Sequence, residues 1–308
     1  MKFTLRQLEY FIAAGETGSI TLASEQANIS QPSISTAIAH LEQELGVQLF
    51  VRHHAQGLSL TPAGRSVLRE AKQLIKQAEC LYSAASELGQ PRGSLSVGSL
   101  VTLAPMVMPE LSHSFMEAYP GTDIRQSERD QEALLNGLRR VEIDVAVTYD
   151  LQISNDIDFT PLVALPPYAL FGESDPLHVR TQVTLAELSG RPMILLDLPI
   201  SRDYFLAMFA KEQVEPKVSW RSPHQEVVRT MVANGYGYAL FNARPKAQIA
   251  LDGKRLYRVP LAGDHPPAVI GLATLRQLTK SRLIQVFEAH CRNLILEGQI
   301  PGMYPPEG

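Results

Sequence analysis

The stretch that most restricts this chain is Ser30-Gln31-Pro32-Ser33-Ile34-Ser35-Thr36-Ala37-Ile38-Ala39-His40-Leu41. Ser30 is a strong helix N-cap, because its hydroxyl can accept from a first-turn amide that has no intrahelical partner. Pro32 falls where a missing N–H costs little. Ile34, Ile38, Leu41 and Leu45 recur at +4, +3 and +4, one apolar stripe of an amphipathic helix. At about 100° per residue the opposite face carries Pro32, Ser33, Thr36, Ala39, His40 and Gln43. A helix made only to be soluble normally shows Lys and Glu there. This face is short-chained, uncharged and rich in donors and acceptors, as a helix needs to enter a major groove and reach base edges. An ordinary amphipathic helix is the plainer alternative, and the neighbouring segments decide between the two.

Upstream, Leu5, Leu8, Phe11 and Ile12 predict the inner face of a first helix, ended by Gly18. Ser19 caps a short second helix running to Ala27, and Asn28-Ile29-Ser30 is a three-residue turn into the third. That is the spacing of a helix-turn-helix. Gly46 stops the third helix. Two short apolar strands, residues 49–52 and 58–60, flank residues 53–57 and predict a hairpin wing. Thr61-Pro62 then restarts a helix, Thr as cap and Pro at the first position.

Ser19-Ile20-Thr21, Ala23, Ile29-Ser30-Gln31-Pro32-Ser33-Ile34-Ser35, Ile38, Leu41-Glu42, Leu45-Gly46, Leu49-Phe50, Arg52 and Leu60-Thr61-Pro62-Ala63-Gly64 together resemble the winged helix-turn-helix of the LysR-type transcriptional regulators. Ser24 and Ala27 depart from the family's usual Ala and Leu. Ala55 lies near where many members carry a second wing arginine, and His53 and His54 replace that charge only when protonated. The resemblance implies a DNA-binding surface of Gln31, Pro32, Ser33, Ser35, Thr36 and Arg52. Gln31 and Ser33 are the candidates for base contacts, Ser35 and Arg52 for phosphate or minor groove.

Charge does not advertise nucleic-acid binding. The chain carries a formal net charge of −4, and residues 1–61 hold Lys2, Arg6 and Arg52 against Glu9, Glu16, Glu25, Glu42 and Glu44. Affinity must then come from few cations, from helix N-termini aimed at phosphates, and from doubling of sites by oligomerisation. Salt-sensitive binding of moderate strength is expected. No stretch resembles a transmembrane span or a secretory leader, so a cytoplasmic location is expected. Two distant cysteines, Cys80 and Cys291, suggest neither a disulfide framework nor a zinc site.

Residues 62–88 carry Val67, Ala71, Leu74, Ala78, Leu81, Ala85 and Leu88 at alternating +4 and +3 spacing. That 3.5-residue repeat predicts a helix about 40 Å long with a seam for a partner helix. A single buried helix is the alternative, but a monomer would leave the seam wet. Homodimerisation through residues 62–88 is the expectation, agrees with the linker helix of the family, and supplies a two-fold pair of recognition helices. Gly89-Gln90-Pro91-Arg92-Gly93 breaks the helix as a hinge.

From residue 94 short strands alternate with helices, the mark of an α/β domain. Strands are predicted at 94–99, 122–127, 143–148, 168–172, 193–196, 218–221, 238–241 and 268–275. Helices are predicted at 102–119, 131–137, 185–188, 204–212, 223–234 and 281–296. Leu103, Pro105, Pro109, Leu111, Phe115, Tyr119-Pro120-Gly121 and Val232-Ala233-Asn234-Gly235-Tyr236-Gly237 resemble landmarks of the family's effector domain. The fold so implied is an N-terminal winged helix-turn-helix (1–61) and linker helix (62–90), then a periplasmic-binding-protein-like (type 2) α/β effector domain (91–300) and a tail (301–308). Lobe 1 would be about 93–161 with 267–297, and lobe 2 about 162–266.

Ligands of open α/β units bind beyond the carboxyl ends of strands, near helix N-termini. Ser99, Val101 and Thr102 lie where the first strand passes into its helix and are expected to form an anion cradle. Thr102 acting only as a helix cap is the plainer reading. Ser201, Tyr204, His224, Phe241 and nearby Tyr149 would face it, with Arg202 as a counter-charge and room for a flat or aromatic acid. Phe241-Asn242 departs from the pair usual in the family. Gly235-Tyr236-Gly237 follows a helix and precedes a strand, the reverse of a dinucleotide fingerprint. No nucleophile elbow or phosphate-binding loop occurs. The chain therefore looks like an effector-responsive transcriptional regulator that needs no cofactor, and the resemblance implies a tetramer of two linker-helix dimers. The competing class is a cytoplasmic binding protein or enzyme with a helical oligomerisation domain, which leaves the turn–helix–wing order unexplained.

Overall fold

The computed structural model describes residues 2–53, 57–85, 91–296, 298 and 300, with side chains of 82–85 left aside. The chain divides into two compact units, one built on residues 1–89 with the short pieces 139–141 and 278–282, the other on the remainder.

The first unit opens with α1 (Leu5–Thr17), α2 (Ile20–Ala27) and α3 (Gln31–Leu45). Each start is capped. Thr4 and Gln7 form a reciprocal capping box, Ser19 accepts from the Leu22 amide and Ser30 from the Ser33 amide. Each end turns left-handed, at Gly18 (φ 63°), Asn28 (φ 52°) and Gly46 (φ 67°). The wing is an antiparallel pair, β1 (Phe50–His53) and β2 (Gly57–Leu60), with Phe50 opposite Leu60. His54 and Ala55 lie outside the described residues. Leu8, Phe11, Ala23, Ile34, Ile38, Leu41, Leu49 and Phe50 close one core, in which the Phe11 and Phe50 rings meet edge to face 5.5 Å apart. Two residues expected in that core are outside it: Leu5 is 44% exposed and Leu45 37%. Each sits at the end of its helix, where the three-helix packing has run out.

The helix α4 (Pro62–Ala85) starts at Thr61, whose hydroxyl accepts from the Gly64 amide at 2.8 Å. Gly64 is required by space, because a Cβ there would stand 2.1 Å from the Leu49 carbonyl oxygen. The expected seam is divided. Val67 and Ala71, with Leu68 and Ile75, pack into the core of their own unit, whereas Leu74 is 36% and Leu81 73% exposed. The N-terminal half of the repeat is therefore an intramolecular contact, and only the later leucines stay open. Leu88 and the tail fall outside the described residues.

The second unit continues with β3 (Gly93–Leu100), α5 (Ala104–Ala118), β4 (Thr122–Arg129), α6 (Gln131–Arg139), β5 (Val145–Tyr149) and β6 (Ile157–Leu165). After the crossover come β7 (Tyr168–Gly172), α7 (Leu185–Ser189), β8 (Pro192–Leu196), α8 (Ser201–Lys211), β9 (Lys217–Ser222), α9 (Gln225–Ala233), β10 (Ala239–Phe241) and β11 (Leu256–Pro260). The chain then returns through β12 (Ala268–Leu275) and ends on α10 (Arg282–Leu296).

One sheet has the order β4-β3-β5-β12-β6, with β3 parallel to β4 and β5, and β12 antiparallel to β5 and β6. The other is β10-β7-β11, extended to β8 and β9 through the bridge between Met193 and Tyr238. Two strands were not foreseen. β6 interrupts its apolar run with Asp158, Thr160 and Pro161 because it is a partly exposed edge strand. β11, also at a sheet edge, carries Arg258 and Tyr257 half-exposed. The chain thus passes between lobes twice, between β6 and β7 and between β11 and β12.

Candidate nucleic-acid interface and ligand cleft

The burial of α3 separates its two faces. Ile34, Ala37, Ile38 and Leu41 are buried, while Gln31, Pro32, Ser33, Thr36, Ala39 and Gln43 are exposed. Ser35 is half-buried on the shoulder, and Arg52 is exposed on β1 of the wing. The Ser33 hydroxyl lies 2.8 Å from the Ser30 hydroxyl, so a base contact by Ser33 must share or replace that bond. Gln31 is exposed, and its side-chain amide makes no hydrogen bond among the described residues. His40 is turned toward α1, its Nδ1 3.4 Å from the Gln7 amide nitrogen, so it belongs less to the outer face than its spacing implies.

Glu42 does work that the sequence did not reveal. One of its carboxylate oxygens accepts from the Leu49 amide at 2.7 Å and the Phe50 amide at 3.2 Å. These amides stand at the start of β1, so the carboxylate ties the end of α3 to the wing that carries Arg52. Charge-assisted bonds of this kind are stronger than neutral ones.

In the second unit a narrow cleft, partly open to solvent, lies between the two sheets. The first lobe contributes Thr102, Tyr149 and Leu151 to its wall. The second lobe contributes Ser201, Tyr204, Gln225, Phe241 and Asn242, with Leu196, Phe205 and Ala243 behind them, and Ala268 closes it at the crossover. The structure thus brings Thr102, Tyr149, Ser201, Tyr204 and Phe241 together around one space, as their positions in the chain suggested.

Three other candidates are not in this wall. Ser99 is fully buried, its hydroxyl directed at the Leu100 carbonyl 3.5 Å away. Val101 is half-buried and donates its amide to the Arg129 carbonyl at 3.0 Å. His224 is exposed at the start of α9 and makes no side-chain capping bond. Thr102 is not a cap either: α5 begins at Ala104 behind Leu103, which leaves the threonine side chain to the cleft. Arg202 does not supply a counter-charge, since its guanidinium is held by Asp197 at 2.8 Å and Asp203 at 3.1 Å. Among the described residues, no ionisable group apart from the two tyrosines lines the space.

Polar groups of the cleft reach both crossovers. The Tyr204 hydroxyl donates to the Pro266 carbonyl at 2.8 Å and accepts from the Asn242 side-chain nitrogen at 3.1 Å. That nitrogen also donates to the Leu165 carbonyl at 2.9 Å, where β6 ends. Burial pushes the Tyr204 phenol up to about 12, partly offset by the bond from Asn242. Burial raises the Tyr149 phenol further still. Both are neutral hydrogen-bonding groups at ordinary pH.

Residues 5–65 match the model of the bacterial regulatory helix-turn-helix protein, lysR family, and residues 88–295 that of the LysR substrate binding domain. The chain belongs to the LysR family of transcriptional regulators. It is a DNA-binding transcriptional regulator with an effector-binding domain.

Among its relatives, the HTH-type transcriptional regulator TdfR of Cupriavidus pinatubonensis is 30% identical over 289 residues, covering 90% of this chain and 93% of that one. The crystal structure of HinK, a LysR family regulator from Pseudomonas aeruginosa, is 36% identical with a TM-score of 0.63, covering 95% of this chain and 98% of that one. The PA01 protein of the same organism, a LysR family regulator by its description, is 35% identical with a TM-score of 0.64, covering 96% of this chain and 100% of that one. Among the described residues of this LysR regulator no helix is long and apolar enough to cross a membrane, and no cluster of His, Cys, Asp or Glu could hold a metal ion.

The cleft also contains Gln225, Leu151, Leu196, Phe205 and Ala243, which sequence reasoning missed. A glutamine opening a helix gives no periodic or motif signal. Only the fold of the second lobe turns it inward.

Proposed function

We propose that this LysR regulator reads its operator with the exposed face of α3, Gln31 foremost, with Pro32, Ser33, Ser35 and Thr36 around it and Arg52 on the flanking backbone or minor groove. An effector occupies the cleft between the lobes and biases one arrangement of an oligomer over another. The observation that carries this reading is the wall itself: side chains from both lobes meet at one space, and two of them, Tyr204 and Asn242, are bonded to the crossovers. A ligand that displaces or strengthens those bonds changes the cost of moving one lobe against the other.

The effector in this reading is a small organic acid with a flat body that fits beside Tyr149, Phe241 and Tyr204. With Arg202 engaged elsewhere, its charge is met by the Thr102 hydroxyl and by the N-terminal turn of α9 at Gln225. The exposed Leu74 and Leu81 of α4 support dimerisation through residues 62–88, two such dimers making a tetramer. The regulator acts in the cytoplasm, where its promoter DNA is.

A mobility-shift assay with DNA upstream of the protein's own gene, with and without a panel of organic acids, tests the whole reading. Wild type should give a retarded complex whose mobility or affinity responds to at least one acid. Thr102→Val should need about tenfold more of that acid, the loss of one hydrogen bond. Leu81→Glu should lower the mass seen by sedimentation and weaken the complex. An unaltered titration for Thr102→Val removes the threonine from the site, and an unchanged mass removes the seam.

A further inference from the structure

Gln225 is the first residue of α9, and its side chain lines the cleft. The side-chain oxygen is sealed from solvent and has no hydrogen-bond partner among the described residues. A buried acceptor left without a donor is costly, and native interiors seldom keep one without a use for it.

Several neighbouring donors are committed, and the hydroxyls of Thr102, Tyr149 and Ser201, which also line the cleft, make no hydrogen bond to that oxygen. The Tyr204 hydroxyl is directed at the Pro266 carbonyl, and the Asn242 side-chain nitrogen serves both Leu165 and Tyr204. The Ser201 amide, at the start of α8, closes back on the Pro199 carbonyl at 2.7 Å across Ile200, which is held at φ 66°. The Arg202 guanidinium is paired with Asp197 and Asp203. None of these reaches the Gln225 oxygen, so the missing donor must come from whatever fills the cleft.

We infer that the effector presents an N–H or O–H donor to the side-chain oxygen of Gln225, and that Gln225 selects donor-bearing ligands over equally shaped ones that lack it. The inference rests on the cleft being the effector site. Discrimination of this kind is strong because a ligand without the donor leaves the acceptor buried and unpaired, whereas an added or missing apolar group changes affinity far less.

Two flat acids of the same ring size separate the outcomes: pyrrole-2-carboxylate, whose ring N–H lies beside the carboxylate, and furan-2-carboxylate, whose ring oxygen replaces it. Titration calorimetry on the full-length protein should show the pyrrole acid bound roughly tenfold or more tightly. In Gln225→Met, which keeps the length of the side chain and removes its acceptor, both acids should still bind, with affinities within about twofold of each other. The wild-type comparison stands even if the variant fails to fold. Equal affinities in wild type, a preference for the furan acid, or a preference that survives in Gln225→Met overturns the role of Gln225 and leaves the cleft as the effector site. Failure of wild type to bind either acid overturns the reading of the cleft as an acid site together with the inference.

Discussion

Replacing Glu42 by alanine should loosen the wing without unfolding the three helices beside it. The carboxylate holds the Leu49 and Phe50 amides at 2.7 and 3.2 Å, and its removal leaves both donors in a half-buried space at the start of β1. A bond from an amide to a charged acceptor is worth about 1.5–3 kcal/mol when buried. Glu42 is only half-buried, so about 1 kcal/mol for each bond is the fairer figure, or about 2 kcal/mol together. That corresponds to roughly a 30-fold rise in local opening.

Amide hydrogen exchange reads this directly. Leu49 and Phe50 should lose roughly 30-fold of their protection in Glu42→Ala and about half of that free-energy change in Glu42→Gln, which keeps a neutral acceptor. Amides of α1, on the other side of the core, should be unchanged. Operator affinity should fall as well, because the loosened strand carries Arg52. Protection at Leu49 and Phe50 within about twofold of wild type in Glu42→Ala would refute the assignment of Glu42 as the tie between helix and wing.

Three further outcomes follow from the same geometry. Gln31→Ala should fold normally and lose about 1–3 kcal/mol of discrimination at one base pair, measured by competition between operator variants. Arg52→Ala should weaken binding to every sequence alike and reduce the slope of log K against log salt by about 1. Tyr204 adds a pH dependence: its phenol is raised to about 12 in the fold from 10.0, so its contribution is fully present below pH 10 and is lost as pH rises through 12. Urea midpoints from pH 9 to 12 should therefore fall less steeply for Tyr204→Phe than for wild type; parallel curves would contradict the burial of that hydroxyl.

The N-terminal unit was legible because its signals are local. Ser19, Ser30 and Thr61 as caps, Gly18 and Gly46 as stops and the stripe of Ile34, Ile38 and Leu41 depend on neighbours within a turn or two of chain. The residues misplaced there, Leu5 and Leu45, are at helix ends, where periodicity continues on paper after the partner helix has ended. The linker repeat was only partly legible for a related reason. Spacing marks Val67, Ala71, Leu74 and Leu81 as one seam, but it cannot say whether a seam meets another chain or the core beside it.

The cleft shows the division most sharply. Thr102, Tyr149, Ser201, Tyr204 and Phe241 could be placed from the order of strands and helices, since a strand's carboxyl end and the helix after it fix a position. Ser99, Val101 and His224, each within three residues of a residue that does line the cleft, are absent from its wall. The amino-acid sequence by itself determined the family, the third helix with its exposed uncharged face, the wing and the alternation that builds two lobes, because these follow from caps, periodicity and turn chemistry. Only the tertiary structure decided that Arg202 is neutralised by Asp197, that Glu42 grips the wing and that the Gln225 oxygen is buried unpaired. Each of those depends on which groups distant in the chain come within about 3 Å of one another, and that distance is set by packing of the whole unit rather than by any local pattern.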